Sequence, residues 1–141
     1  MQRMRFVKEF DLPPDRVFEY FSEHENLGGI FGAEVKRISD GTDGNRNGVG
    51  SARSLNPPGP VPAFEETVTE FVPGKHIEYT VTRGTPLNHH LGTVDFTREG
   101  TGTKMEWRIE IGTAVPGLDF LIAKVLTRNI GRGLDRTVIP A

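Results

Sequence analysis

The stretch GTGTKMEWRIEIGTAVPGLDFLIAKVL, residues 100–126, carries two periodicities in succession. Its glycines at the start, within REGTGT (98–103), signal a tight hairpin because glycine takes positive φ without steric cost. Met105, Trp107, Ile109 and Ile111 then alternate with Glu106, Arg108 and Glu110, the period of two expected of a strand with one apolar face. Behind Pro116 and Gly117 the period lengthens. Leu118, Leu121, Ile122, Val125 and Leu126 form an apolar stripe at helical spacing, extended towards Ile130 and Leu134. A strongly apolar strand therefore runs into the longest helix of the chain. Gly131 and Gly133 each disfavour helix by about 1 kcal/mol against alanine, so bending or fraying is expected in its distal part.

Upstream, from Ala33 to Thr113, the period stays at two. Turn clusters at 40–48 (DGTDGNRNG), 56–62 (NPPGPVP), 73–75 (PGK), 84–88 (GTPLN) and 98–103 divide this span into six strands. Arg3 to Phe10 reads as a first strand, and Pro13-Pro14-Asp15 starts a helix in which Val17, Phe18 and Phe21 share one face. NLGGIFG at 26–32, with three glycines in seven residues, predicts a second helical turn that ends in a break. The sum is an α+β domain over residues 1–141: one strand, two short helices, a six-strand meander and a long terminal helix, with all seven strands in one antiparallel sheet.

Composition removes several classes of chemistry. With no cysteine among 141 residues, a disulfide framework, a thiolate nucleophile and a Cys-ligated zinc or iron–sulfur site are all excluded. The net charge of -2 leaves no whole-chain footprint for nucleic acid or for an anionic membrane. No apolar run approaches the ~20 residues of a bilayer crossing, so a cytoplasmic protein without stable membrane insertion is expected.

The words GVGSAR (48–53), FEETVTEFVPGKHIEY (64–79), GTPLNHHLGTVDF (84–96), GTGTKMEWRIEI (100–111) and PGLDFLIAKVL (116–126) resemble the polyketide cyclase/dehydrase-like branch of the START/birch-pollen-allergen-like (SRPBCC) superfamily. The resemblance covers nearly the whole chain. It implies a helix-grip fold, a curved sheet holding the terminal helix with a cavity between them, in proteins that mostly bind or transport hydrophobic small molecules and in a minority of cases act as cyclases or dehydratases. It brings no shared catalytic signature.

Strand parity selects the residues of such a cavity. The inward faces are Phe64, Glu66 and Val68; Ile77, Tyr79 and Val81; Met105, Trp107, Ile109 and Ile111; and Val49, Ser51, Arg53 and Leu55. Val94 and Phe96 bring His90 inward and send His89 outward. Arg53 and Glu66 thus fall on otherwise apolar faces of adjacent strands and are expected to pair, with two parallel hydrogen bonds between guanidinium and carboxylate. Such a pair can fix strand register, orient a polar group of a ligand on a pocket wall, or, with parity shifted by a bulge, face solvent. His90 beside Tyr79 and a carboxylate could move protons, or serve only as an amphipathic wall residue; Trp107 reads as core or pocket floor. Glu66 and His90 are the candidate catalytic residues. Arg53, Glu66, Val68, Tyr79, His90, Trp107 and Ile109, with Phe120 and Lys124 on the terminal helix, are the candidate ligand-binding residues.

Other signals are weaker. DGTDGNRNG departs from calcium-loop spacing, and His89-His90 point to opposite faces, so neither metal nor other cofactor is expected. Arg128, Arg132 and Arg136 form a basic stripe, usually a solvated face, otherwise a site for an acidic partner or a phospholipid head group. The leading function is binding, with or without transport, of a small hydrophobic metabolite such as a lipid or polyketide by a monomer or weak homodimer. The alternatives are a cyclase or dehydratase acting in the same cavity, and a partner-binding protein using an exposed apolar patch.

Overall fold

The computed structural model describes residues 1–58 and 63–140. Strand β1 (Gln2–Phe10) leads into helix α1 (Pro14–Ser22), whose proline sits in the first turn, where its missing N–H removes no helical hydrogen bond. A 3-10 turn at His24–Asn26 and a short α2 (Gly28–Phe31) follow. α2 stops at Gly32, which has φ 69°, the break expected from NLGGIFG. Then come β2 (Glu34–Ser39), β3 (Ala52–Asn56), β4 (Phe64–Val72), β5 (His76–Arg83), β6 (Leu87–Glu99), β7 (Gly102–Thr113) and α3 (Leu118–Arg136).

The seven strands form one antiparallel sheet in the order β1-β7-β6-β5-β4-β3-β2, so consecutive strands are neighbours throughout the meander and β1 closes beside β7. This is the α+β architecture read from the sequence. One boundary moves: the strand expected from Val49 begins at Ala52, and Val49 is exposed. The preceding residues are held as a turn by Gly48 N–H to Asn45 and Ser51 N–H to Gly48. Of the expected NPPGPVP turn, residues 59–62 lie outside the described residues.

The core fills the space between the inner face of the sheet and the helices. Met105, Trp107, Ile109 and Ile111 of β7 are all buried, together with Val94 and Phe96 of β6, Ile77 and Tyr79 of β5, and Val68 of β4. The helical layer answers with Val17, Phe18 and Phe21 of α1, Leu27, and Ile30 and Phe31 of α2. Phe18 meets Phe71 and Phe96 edge-on with ring centroids 5.1 and 5.3 Å apart. Each large apolar side chain removed from water contributes on the order of 1.5–3 kcal/mol, and the edge-on ring pairs add to that.

α3 departs from its expected stripe. Ala123, Ile130, Gly133 and Leu134 are buried and Leu118, Ile122 and Leu126 half-buried, whereas Leu121 and Val125 face solvent. The distal part does not fray. A Cβ on Gly133 would lie 2.4 Å from Ile30 Cα, so the bare glycine is what lets the backbones of α3 and α2 touch. Lys8 of β1 donates to the carbonyls of Leu134 and Thr137 and so satisfies the open C-terminal end of the helix. The glycine expected to weaken this end is therefore its docking point.

Candidate functional site

β3 and β4 pair with Arg53 directly opposite Glu66, and the inward parity of both is set by Leu55 and Val68. The two side chains are buried, 4 % and 3 % exposed. Arg53 Nε and Nη2 donate to the same carboxylate oxygen, Oε1, at 2.9 and 2.8 Å. The expected pairing is present, but its geometry is not the two-oxygen fork: Oε2 is left facing His90, whose Nε2 lies 3.8 Å away. Burying two charges costs several kcal/mol each, and close pairing with added hydrogen bonds offsets that cost.

The added partner is His24. Arg53 Nη1 donates to His24 Nδ1 at 3.2 Å, and His24 Nε2 lies 2.9 Å from Ser51 Oγ. An arginine only donates, so Nδ1 is the acceptor, the proton sits on Nε2, and it is given to the serine. Burial, reinforced by the Arg53 charge, pushes His24 down to about 3, which keeps it neutral. The sequence reading missed this residue. The available signal was its spacing: His24 continues the i, i+3 row from Phe21 towards Leu27, all of it buried.

On the other side of Glu66, His90 accepts the backbone N–H of Val81 at Nδ1, 3.1 Å. Its proton is then on Nε2, pointed at the free oxygen of Glu66. Burial lowers the basicity of His90 against the raising effect of Glu66. Tyr79 packs beside both: the Arg53 guanidinium lies 4.9 Å from its ring centroid, and the His90 ring 5.5 Å. The Tyr79 hydroxyl accepts Trp107 Nε1–H at 2.8 Å. Burial and the neighbouring Glu66 charge push its pKa up, so it stays a phenol.

Ser51, His24, Arg53, Glu66 and His90 form one polar file across the apolar concave face, with Tyr79 and Trp107 along its flank. Gly92 makes room for it, because a Cβ there would lie 2.1 Å from Tyr79 Cζ. A partly open cavity of about 20 Å³ adjoins the file, lined by Arg53, Val68, Tyr79 and Trp107 of the sheet and by Phe21, Leu27 and Asn47 opposite. That volume holds about one water.

The cavity departs from expectation in place and size. The hollow was expected between the sheet and the terminal helix, and no residue of α3 lines this one. Phe21, Leu27 and Phe31 descend onto the middle of the concave face, and Arg53 and Tyr79 fill it from the other side. Of the candidate residues, Arg53, Glu66, Val68, Tyr79, His90 and Trp107 are brought together. Ile109 is buried on β7 beyond the cavity wall, and Phe120 and Lys124 stand on the solvent side of α3, away from the file.

Comparison with known proteins adds the lineage. A crystal structure of TTHA0849 from Thermus thermophilus superposes with a TM-score of 0.75 at 20% identity, covering 95% of this chain and 92% of that one. The Zhui aromatase/cyclase from Streptomyces sp. R1128 gives 0.69 at 16% identity, covering 95% and 87%. The di-domain ARO/CYC BexL from the BE-7585A biosynthetic pathway gives 0.70 at 18% identity over 96% of this chain and 44% of that one. At such identities these matches establish a shared fold. No curated protein sequence matches the chain. The sequence profile of the family described as polyketide cyclase / dehydrase and lipid transport matches residues 1–138. With the match spanning nearly all of the given sequence, the chain belongs to that polyketide cyclase/dehydrase and lipid transport family.

Proposed function

We propose that the protein binds a small hydrophobic molecule carrying an acceptor oxygen, a carbonyl or enol, with its apolar body against the concave face of the sheet and its oxygen at Arg53 and Tyr79. The observation that supports this reading is the donor character of the cavity's polar wall. Arg53 has five N–H groups and is engaged through three nitrogens to Glu66 and His24, and the hydroxyl of Tyr79 accepts from Trp107 while keeping its own proton to give. The family's lipid and polyketide chemistry fits a ligand of this kind. A cavity of about 20 Å³ does not hold such a molecule, so binding requires the helical layer to move off the sheet, exchanging Phe21 and Leu27 contacts for ligand contacts worth ~25 cal/mol per Å².

The test uses Trp107, the only tryptophan, as reporter. Titration with long-chain fatty acids and aromatic polyketones is expected to give a saturable change in its emission and a raised Tm. Arg53→Met and Tyr79→Phe should weaken binding of the ketones, and a flat response to the entire panel would overturn the reading.

A second reading is favoured by one contact. Glu66 Oε2 and the Nε2–H of His90, both buried and 3.8 Å apart, form a pair able to exchange a proton with a bound ketone during ring closure or dehydration. Turnover by the wild type that survives unchanged in Glu66→Gln and His90→Ala would remove that pair from the chemistry.

A further inference from the structure

The exposed side of α3 places bulky apolar side chains beside basic ones. Its N-terminal half presents Phe120, 57 % exposed, with Leu121, Val125 and the nearby Val115 each equally open to water. Single exposed apolar residues are ordinary, but these cluster at one end of one helix. The i, i+4 row that begins at Phe120 continues as Lys124, Arg128, Arg132 and Arg136, all exposed and none in an ion pair among the described residues. Of the helix's two acidic residues, Asp119 is held by the N-terminal amine at 3.2 Å, which leaves Asp135 alone among four cations. The whole chain carries a net charge of -2, so this face is a local reversal of sign rather than a share of a basic surface.

We propose that this face of α3 docks on an anionic lipid bilayer, with Phe120, Leu121 and Val125 entering the headgroup–acyl boundary and Lys124, Arg128 and Arg132 meeting lipid phosphates. Charge complementarity names the partner: a basic row next to bulky apolar side chains is the pattern of helices that lie in a membrane interface. A bilayer fits better than an acidic protein because the apolar residues sit at one tip, where shallow insertion covers them without a shaped counterpart. The helix is already folded and held by Ile130, Gly133 and Leu134 on its other side, so docking orders nothing new. Among the described residues no helix is long and apolar enough to cross a membrane, and the docking proposed is a peripheral one. The proposal does not depend on the ligand.

The test is co-sedimentation of the full chain with vesicles of phosphatidylcholine alone and of equal parts phosphatidylcholine and phosphatidylglycerol. Binding is expected to the anionic vesicles only and to fall as salt is raised. Arg128→Glu with Arg132→Glu should reduce partitioning at least about tenfold. Leu121→Asp with Val125→Asp should reduce it comparably, and circular dichroism and Tm should stay at wild-type values because all four positions are solvated. Absence of wild-type binding to the anionic vesicles would overturn the proposal, as would binding indifferent to both double variants. So would polyglutamate binding as tight as vesicle binding, or a dimer that Leu121→Asp dissociates while vesicle binding persists.

Discussion

Glu66 holds Arg53 through one oxygen, Oε1, at 2.9 and 2.8 Å, and keeps its second oxygen turned to His90. Glu66→Gln preserves shape and removes the compensating charge, leaving a buried guanidinium unpaired; a loss of about 3–5 kcal/mol is expected in urea unfolding. Replacing both members, Arg53→Met with Glu66→Leu, should recover most of that stability while abolishing ketone binding. A stable Glu66→Gln protein, within about 0.5 kcal/mol of wild type, would contradict the buried pairing.

The pH dependence follows from the histidines. His24, held by burial at about 3 instead of 6.5, takes up a proton more readily in the unfolded chain. Its contribution is therefore complete above pH ~6.5 and is lost as pH falls towards ~3, at up to about 1.4 kcal/mol per unit. His90, also lowered by burial, acts in the same direction. His76, raised overall by Asp95 and Glu70 although burial opposes them, works the other way: its contribution is present at low pH and lost as pH rises through its elevated pKa. Below pH ~6.5 the His76 contribution is already complete, so the two lowered histidines decide the slope: Tm is expected to fall on acidification, and His24→Gln should flatten the slope. An unchanged slope in that variant would remove His24 as the cause.

Gly92 and Tyr79 share one volume. Gly92→Ala places a methyl where the phenol ring stands, 2.1 Å from Cζ. The ring has to move, the Trp107–Tyr79 hydrogen bond breaks, and overpacking costs about 1–3 kcal/mol. Trp107 emission at neutral pH should shift to the red without any ligand; an unshifted spectrum and an unchanged Tm would show that the site tolerates the methyl.

Two glycines of α3, two positions apart, should respond with opposite signs. Nothing lies within 4 Å of a Cβ built on Gly131, so Gly131→Ala should stabilise by up to about 1 kcal/mol through helix propensity alone. Gly133→Ala meets Ile30 backbone at 2.4 Å and should destabilise by more than the propensity gain. Equal effects of the two substitutions in thermal unfolding would refute the close packing of α2 and α3.

Much of this fold was readable because period two and period 3.6 are local properties of the chain, and the turn clusters fell between them. Parity turns Arg53, Glu66 and His90 inward and His89 outward, and the cost of buried charge pairs the first two; the directly opposed register of Arg53 and Glu66 and the contact of His89 with Glu110 come from the structure. The parts that were not legible depend on tertiary approach. Leu121 and Val125 satisfy the apolar spacing of a helix as well as Ile122 and Leu126 do; only the seating of Gly133 on Ile30 decides which of them meets the core. The spacing of His24 between Phe21 and Leu27 marks it as inward-facing, but that its partner is Arg53 depends on the tertiary approach of the 3-10 turn to β3. The size of the cavity could not be read either, since it is the remainder of packing between Phe21, Leu27 and the Arg53 file and no single strand determines it.

The contact of Gly133 with Ile30 sets how closely α3 approaches α2 at the far end of the helix from Phe120. From Gly133 to Phe120 the helix extends about 20 Å, so a tilt of about ten degrees at that contact sweeps the far tip through about 3–4 Å. A side chain forced in at Gly133 would therefore displace the opposite end of the helix more than the site of the substitution itself.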